Sequence, residues 1–457
     1  MTVGADGRVQ GDPGNGTPTA IGTLVDTIHY GMSEKYTLAL GGGGPAGRSK
    51  PGDYLYYNGD ARRTAQGAWG IVRVLPSFSP DLLALPDNAA PGGLWNRPGG
   101  GNPPAVQTPS NPCPTGAPVH AFDVSAIDLN SGNRALFVAT NQAAAVKAGT
   151  GKPEPLVLHV AAGECVKVHL TNTRSTAESF AVGKLDRNAD SSGVDVGYSP
   201  ENNTAPGATR DYWYYADSDR LGSATISDFA GDNSHDSQKL GLYGAVVVAQ
   251  AGAKFSSDIG ARVDVHIPAT ATTPRRDYRD FSVILADNDP QMSQDFMPYP
   301  TNALLGATNI NYAVAPPGDS TSTYGTANTD PATPTLWSYA GDTVVVHEIG
   351  PGESYDAWIA GGAGGYDQLT GDYWYGDLRR PFTQVGAWGL QRVLPIPTSC
   401  AAVPVGNPTC LVPDTIVTTT PTTSATPTPT PTATATPTPS TSPTATPSPT
   451  RSRKRGR

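Results

Sequence analysis

The chain has 457 residues, enough for about three domains of ordinary size, so length does not limit core formation. Its 52 Gly and 44 Pro, with charged residues at only 16%, exclude an architecture of long amphipathic helices, which need Glu, Lys, Leu and Ala at a 3.6-residue period. The formal net charge of −9 argues against nucleic acid as a partner, because that binding rests on clustered Lys and Arg; the one basic cluster, Arg451 to Arg457, reads as a solvated end.

From the N-terminus, MTVGADGRVQGDPGNG lacks the apolar centre of a secretory signal, and no apolar run anywhere reaches the roughly 18 residues of a transmembrane segment. An internal repeat follows. Gly42 to Pro76 reads GGGPAGRSKPGDYLYYNGDARRTAQGAWGIVRVLP, and Gly361 to Pro395 reads GGAGGYDQLTGDYWYGDLRRPFTQVGAWGLQRVLP, aligned without a gap at a constant offset of 319 residues. Upstream, Gly31, Glu34 and Tyr36 line up with Gly350, Glu353 and Tyr355. Solenoid units run about 20 to 50 residues, so this period suits a pair of β-sandwich domains repeated as a pair.

Residues 77 to 118 are crowded with Pro, Gly and Asn and read as a linker. Short β-rich runs come next, separated by turn residues: Pro155 to His159, CVKVHL at Cys165 to Leu170, RDYWYY at Arg210 to Tyr215 and GAVVVA at Gly244 to Ala249. Alternation in CVKVHL puts Val166, Val168 and Leu170 on one face and Lys167 and His169 on the other. The texture continues through RVDVHI (Arg262 to Ile267), FSVILA (Phe281 to Ala286) and TVVVH (Thr343 to His347). These strands predict Greek-key sandwiches with almost no helix.

The four cysteines read as disulfide partners in an oxidising compartment; Cys400 and Cys410 are close enough to close a small loop, while Cys113 falls in a loop and Cys165 in a strand, and spacing leaves the connectivity open. Beyond about Pro413 the chain is almost entirely Thr, Pro, Ser and Ala, a composition that predicts a disordered, extended Thr/Pro-rich tail of the kind found on secreted or cell-surface proteins.

Several stretches resemble the cupredoxin domains of the multicopper oxidase family, in particular its large bacterial manganese-oxidising members and the ceruloplasmin- and hephaestin-like proteins. VKVHLTNT (Val166 to Thr173), SSGVDVGYSPENNTAPGATRDYWYYA (Ser191 to Ala216) and HDSQKLGLYGAVVVA (His235 to Ala249) carry the likeness in one domain. DYRDFSVILADND (Asp277 to Asp289), MPYPTNALLGATNINYAVAPP (Met297 to Pro317) and the two GAWGxxRV segments, with Trp69 and Trp388 expected in cores, carry it in the sister domain. The resemblance implies an all-β chain of tandem cupredoxin-like Greek-key β-sandwiches: the end of one domain at 1–76, the linker at 77–118, domains at 119–255 and, shortened, at 256–397, and a stalk at 398–457.

The resemblance also implies copper and oxidoreductase chemistry, yet the family's ligands are eroded here. A type 1 copper with a trinuclear cluster takes roughly ten His, and this chain has seven. Cys165 and His169 lie on one strand, about 13 Å apart at 3.3 Å per residue, too far to share an ion. Ala181 stands where the family has a His. Of a His-Ser-His before GLYG only His235 remains, which makes His235 the candidate metal ligand. Between GDTVVVH and GPGES a ligand-bearing block is missing, with His347 at its edge. His159, His169 and His266 read as sheet-surface side chains, His29 and His120 carry no motif, and Asp186, Asp190 and Asp195 suit turns better than calcium.

Two functions follow as expectations. One is a multicopper oxidase subunit whose copper sites are completed by a partner chain or by a preceding N-terminal region. The other is a non-catalytic scaffold at the cell surface, meeting a cell wall or glycan through its stalk.

Overall fold

The computed structural model describes residues 2–3, 23–24, 52–57, 67–75, 110–129, 134–197, 199, 201–230, 240–269, 276–287, 307–312, 334–350, 353–376 and 387–396. Strand β1 (Thr2–Val3) pairs with β2 (Thr23–Leu24), and β3 (Gly52–Tyr57) with β4 (Trp69–Val74). The first sandwich comprises β5 (Val119–Leu129), β6 (Arg134–Ala139), the short helix α1 (Ala143–Lys147), β7 (Leu156–Ala161), β8 (Cys165–Asn172), β9 (Ala181–Val182), β10 (Thr209–Tyr215), β11 (Gly222–Ser227) and β12 (Tyr243–Ala249). Strands β13 (Lys254–Phe255), β14 (Arg262–Ile267), β15 (Arg276–Asp287), β16 (Ala307–Ile310), β17 (Thr335–Tyr339), β18 (Val344–Gly350), β19 (Glu353–Trp358), β20 (Gly371–Gly376) and β21 (Trp388–Leu394) make the second. The architecture is all-β, in tandem cupredoxin-like sandwiches.

The first sandwich stacks the sheet β10-β8-β5-β6 on β7-β12-β11-β9, and the second stacks the sheet holding β19, β18, β15 and β16 on β17-β21-β20. The central pairings correspond. Parallel β5 and β8 match β15 and β18, and parallel β7 and β12 match β17 and β21. Among the described residues β13 and β14 have no counterpart in the first sandwich, and β9 and α1 have none in the second. Between β8 and β10 the chain runs through residues 173–208, including β9, whereas β18 passes to β19 across Pro351 and Gly352 alone. The expected missing block falls at this place in the chain.

Burial follows the sequence pattern. In β8, Val166, Val168 and Leu170 point into the first core with Phe137, Leu158, Tyr212 and Val246, while Lys167 and His169 face outward. LVLHVA in β7 and GAVVVA in β12 are apolar without alternation because both faces are covered. One face of each meets the first core, and the other meets Ala261, Ile284 and Ile349 of the second sandwich. His159 lies in that doubly covered strand and is fully buried, which corrects its expected place at a sheet surface. A disulfide joins Cys113 to Cys165 and ties residues 110–118 to the start of β8.

The repeat recurs as one hairpin in one register. Gly52 faces Val74 as Gly371 faces Val393; Asp53 makes a two-pronged ion pair with Arg73, both contacts 2.7 Å, and Asp372 does the same with Arg392, again at 2.7 Å. Tyr56 lies over Gly70 and Tyr375 over Gly389, filling the space that a side chain would take across the strand. Trp388 is fully buried, as expected, but Trp69 remains 43% exposed, because no counterpart of β17 flanks β4 among the described residues.

Candidate functional site

The chemistry-bearing side chains gather where the outer face of the first sandwich meets the second. His347 on β18 sits at the centre. Its Nδ1 is 2.5 Å from Asp356 Oδ1 on β19, and its Nε2 is 3.0 Å from Asp280 Oδ2 on β15. Both carboxylates accept, so both ring nitrogens donate and the ring is an imidazolium. Burial alone would lower its pKa, but Asp280 and Asp356 outweigh that and raise it to about 10. Burial pushes Asp356 upward while His347 and Ser223 pull it down further, to about 2.

Asp356 also reaches the first sandwich. It accepts from the Ser223 Oγ at 2.7 Å and the Ser223 amide at 3.1 Å, both on β11. Gly222 permits the approach, since a Cβ there would stand 1.8 Å from Asp356 Oδ2, on a backbone at φ +90°. The result is a charged clasp between sandwiches, surrounded by the apolar contact of Val157, Val247, Ile284 and Ile349.

The same device recurs elsewhere. His169 on β8 pairs with Asp211 on β10, Nδ1 to Oδ1 at 2.7 Å, in the register position that His347 and Asp356 hold in the second sandwich. His266 on β14 pairs with Asp277 on β15 at 2.5 Å. His120 lies between Glu164 (3.1 Å) and Asp258 (3.5 Å); burial lowers its pKa, and the two carboxylates outweigh this to raise it to about 9. These are cross-strand or cross-sheet histidine–carboxylate contacts of structural type.

His159 differs. Its Nε2 donates to the Gly260 carbonyl at 2.9 Å, burial lowers its pKa, and the ring is neutral, with Nδ1 enclosed beside the Phe255 ring. One buried nitrogen is not a ligand set. Among the described residues no group of three or more His, Cys, Asp and Glu side chains is placed to hold a metal ion.

Copper, which the sequence resemblance implies, does not fit these side chains. A copper-ligating imidazole must offer a lone pair, and His347 has none while both nitrogens carry protons. A type 1 centre needs a thiolate, and Cys113 and Cys165 are joined to each other. Ala181 is buried in β9 where the family pattern would put a His. His235, His29, Cys400 and Cys410 lie outside the described residues, as does the Thr/Pro-rich tail.

The three aspartates considered for calcium are engaged separately, Asp186 at a bridge to Tyr215, Asp190 in a 3-10 helix (Ala189–Ser191) and Asp195 in irregular chain. Asp186 pairs with Arg220 at 2.9 Å, Asp190 accepts from the Ser110 hydroxyl and amide, and Asp195 from the Asn202 amide and Asn203. Sequence reasoning missed Asp280, Asp356 and Ser223. Asp356 stands directly opposite His347 in the register of β18 and β19.

No protein-family model matches the chain, and no curated protein matches it. Solved structures offer a distant likeness. A multicopper oxidase crystal structure is 11% identical over 63% of this chain and 94% of that one, with a TM-score of 0.38. A copper nitrite reductase from Nitrosomonas europaea is 16% identical over 60% and 94%, with a TM-score of 0.36. A multi-copper oxidase from Pseudomonas thermotolerans is 14% identical over 51% and 47%, at 0.30. Scores this low do not bear on activity, and the fold rests on the sheet topology itself. No helix among the described residues is long and apolar enough to cross a membrane.

Proposed function

We propose that this chain is a non-catalytic cupredoxin-like scaffold, a binding or spacing module that works outside the reducing cytosol. The observation that carries the reading is the state of its histidines: His120, His169, His266 and His347 are engaged by carboxylates and His159 by a backbone carbonyl. Of these, His347 belongs to the contact in which Asp356 reaches Ser223 across the two sandwiches. The Cys113–Cys165 disulfide supports an oxidising compartment, and the Thr/Pro-rich composition after Pro413 supports surface display on a stalk.

The test is oxygen consumption by the full chain after incubation with Cu(II) and removal of free metal, with Mn(II) and phenolic or aromatic diamine reductants. Uptake no faster than a matched free-copper control is the expected result. Sustained turnover that tracks protein concentration would revive the oxidase reading, in which His235 and a partner chain or preceding N-terminal region supply the missing ligands.

A further inference from the structure

The two copies of the repeated hairpin share a backbone and differ in what covers them. In the first, the corner Gly52-Asp53-Tyr54 is seated on the first sandwich. A Cβ on Gly52 would lie 2.4 Å from the Ala189 Cβ, and one on Gly197 would lie 1.9 Å from Asp53 Oδ2. Ser199 Oγ donates to the Asp53 carbonyl at 2.9 Å, and Tyr57 meets Phe229 edge-on at 5.1 Å. Asp53 and Tyr54 are only 2% and 4% exposed.

The second copy keeps the same residues without the cover. Gly371 adopts φ +145° as Gly52 adopts +151°, and Asp372 keeps its pair with Arg392. Yet among the described residues nothing lies within 4 Å of a Cβ built on Gly371, and Tyr373 and Trp374 are 38% and 42% exposed. Tyr373 makes one local bond, from its hydroxyl to the Leu369 carbonyl at 2.8 Å.

We propose that this bare corner, Gly371 to Trp374, docks onto a second copy of the chain, taking the seat on that copy's first sandwich which its own hairpin β3–β4 otherwise fills. The three residues that make the seated corner are identical in both copies, and so is the arginine that braces the aspartate. The substitutions are compatible with the seat. A cavity of about 50 Å³ lies beside Leu55, between Tyr54, Tyr57, Val182, Arg187 and Phe229. Trp374 replaces Leu55 with a larger ring that fills this space, while Gly376 replaces Tyr57 and gives the ring room. The contact is head-to-tail, so it builds open chains of molecules or closed rings.

Residues 76–109 connect the N-terminal hairpin to the first sandwich, and such a tether gives it an effective concentration of up to about millimolar. It outcompetes a second copy in dilute solution. Exchange emerges when the chain is concentrated or when the cis seat is weakened.

Sedimentation of the full chain from about 1 to about 100 micromolar tests this. Tyr54→Ala removes the anchor of the cis hairpin and is expected to strengthen self-association at least about tenfold, and adding Tyr373→Ala is expected to return it to the wild-type level. A Tyr54→Ala chain that folds, by circular dichroism, and stays monomeric throughout overturns the proposal. So does association indifferent to Tyr373. Should Tyr54→Ala fail to fold, the wild type and the exposed-site variant Tyr373→Ala are compared near millimolar concentration. Weaker association of the variant supports exchange; equal behaviour of the two refutes it.

Discussion

Replacing His347 by Gln leaves two carboxylates, Asp280 and Asp356, in the seam without their shared cation. Asp280 is fully buried and His347 nearly so. Removing one partner of a buried ion pair costs about 3–5 kcal/mol, mostly because the remaining charge is stranded. The pH dependence separates this from a simple packing defect. Folding raises the His347 pKa from 6.5 to about 10, so between those values the folded chain holds a proton that the unfolded chain has released. Its stabilisation is complete below pH 6.5 and is lost as pH rises through 10, at up to about 1.4 kcal/mol per pH unit. Urea unfolding of wild type and His347→Gln across this range, followed by tryptophan fluorescence, should show a gap of about 3–5 kcal/mol at pH 6 that shrinks to about 1 kcal/mol or less near pH 10. A gap that does not change with pH, or one under about 1 kcal/mol at pH 6, refutes the buried imidazolium.

Three other perturbations probe the same framework. Burial, followed by the adjoining Asp228, pushes the Glu178 carboxyl above its ordinary range despite the Thr176 and Arg174 contacts, so the pair retains a proton near neutrality. Stability should therefore fall as pH rises out of the carboxylate range toward neutral, and Glu178→Gln should flatten that slope in a urea series; an unchanged slope would show that Glu178 does not titrate there. Gly222→Ala forces a methyl group against Asp356 and should lower stability by about 2 kcal/mol or more, read as a drop in the thermal midpoint, with no loss expected if the seam can shift to admit it. Breaking the Cys113–Cys165 disulfide opens a 52-residue separation, which chain entropy values at about 4 kcal/mol; thermal scans of Cys113→Ser/Cys165→Ser should show a large fall, and an unchanged midpoint would mean the bond contributes little.

Much of the fold was legible because period and repetition are local properties. The alternation in CVKVHL gave the inward face of β8, and the 319-residue repeat, read as repeated sandwich domains, folds as two hairpins whose register agrees residue for residue. The apolar runs of β7 and β12 marked strands, but not what covered their second face, so His159 was misplaced at a surface. Trp69 and Trp388 have the same neighbours in sequence and opposite burial, since among the described residues a flanking strand, β17, is present only at the second hairpin. The seam was the least legible part. Ser223 and Asp356 are 133 positions apart, and nothing in either local pattern announces the other. Ala181, read as standing where the resembled family has a His, is buried in β9. What the surviving histidines do instead depended on the carboxylates opposite them.

On the proposed reading the described histidines serve the fold, and the chain holds no copper centre. Elemental analysis of the full chain, exposed to Cu(II), freed of loosely bound metal by gel filtration and read beside the visible spectrum, tests it directly. The account predicts copper well below one per chain and no intense copper–thiolate band. One or more tightly held coppers per chain, with that band present, would contradict it.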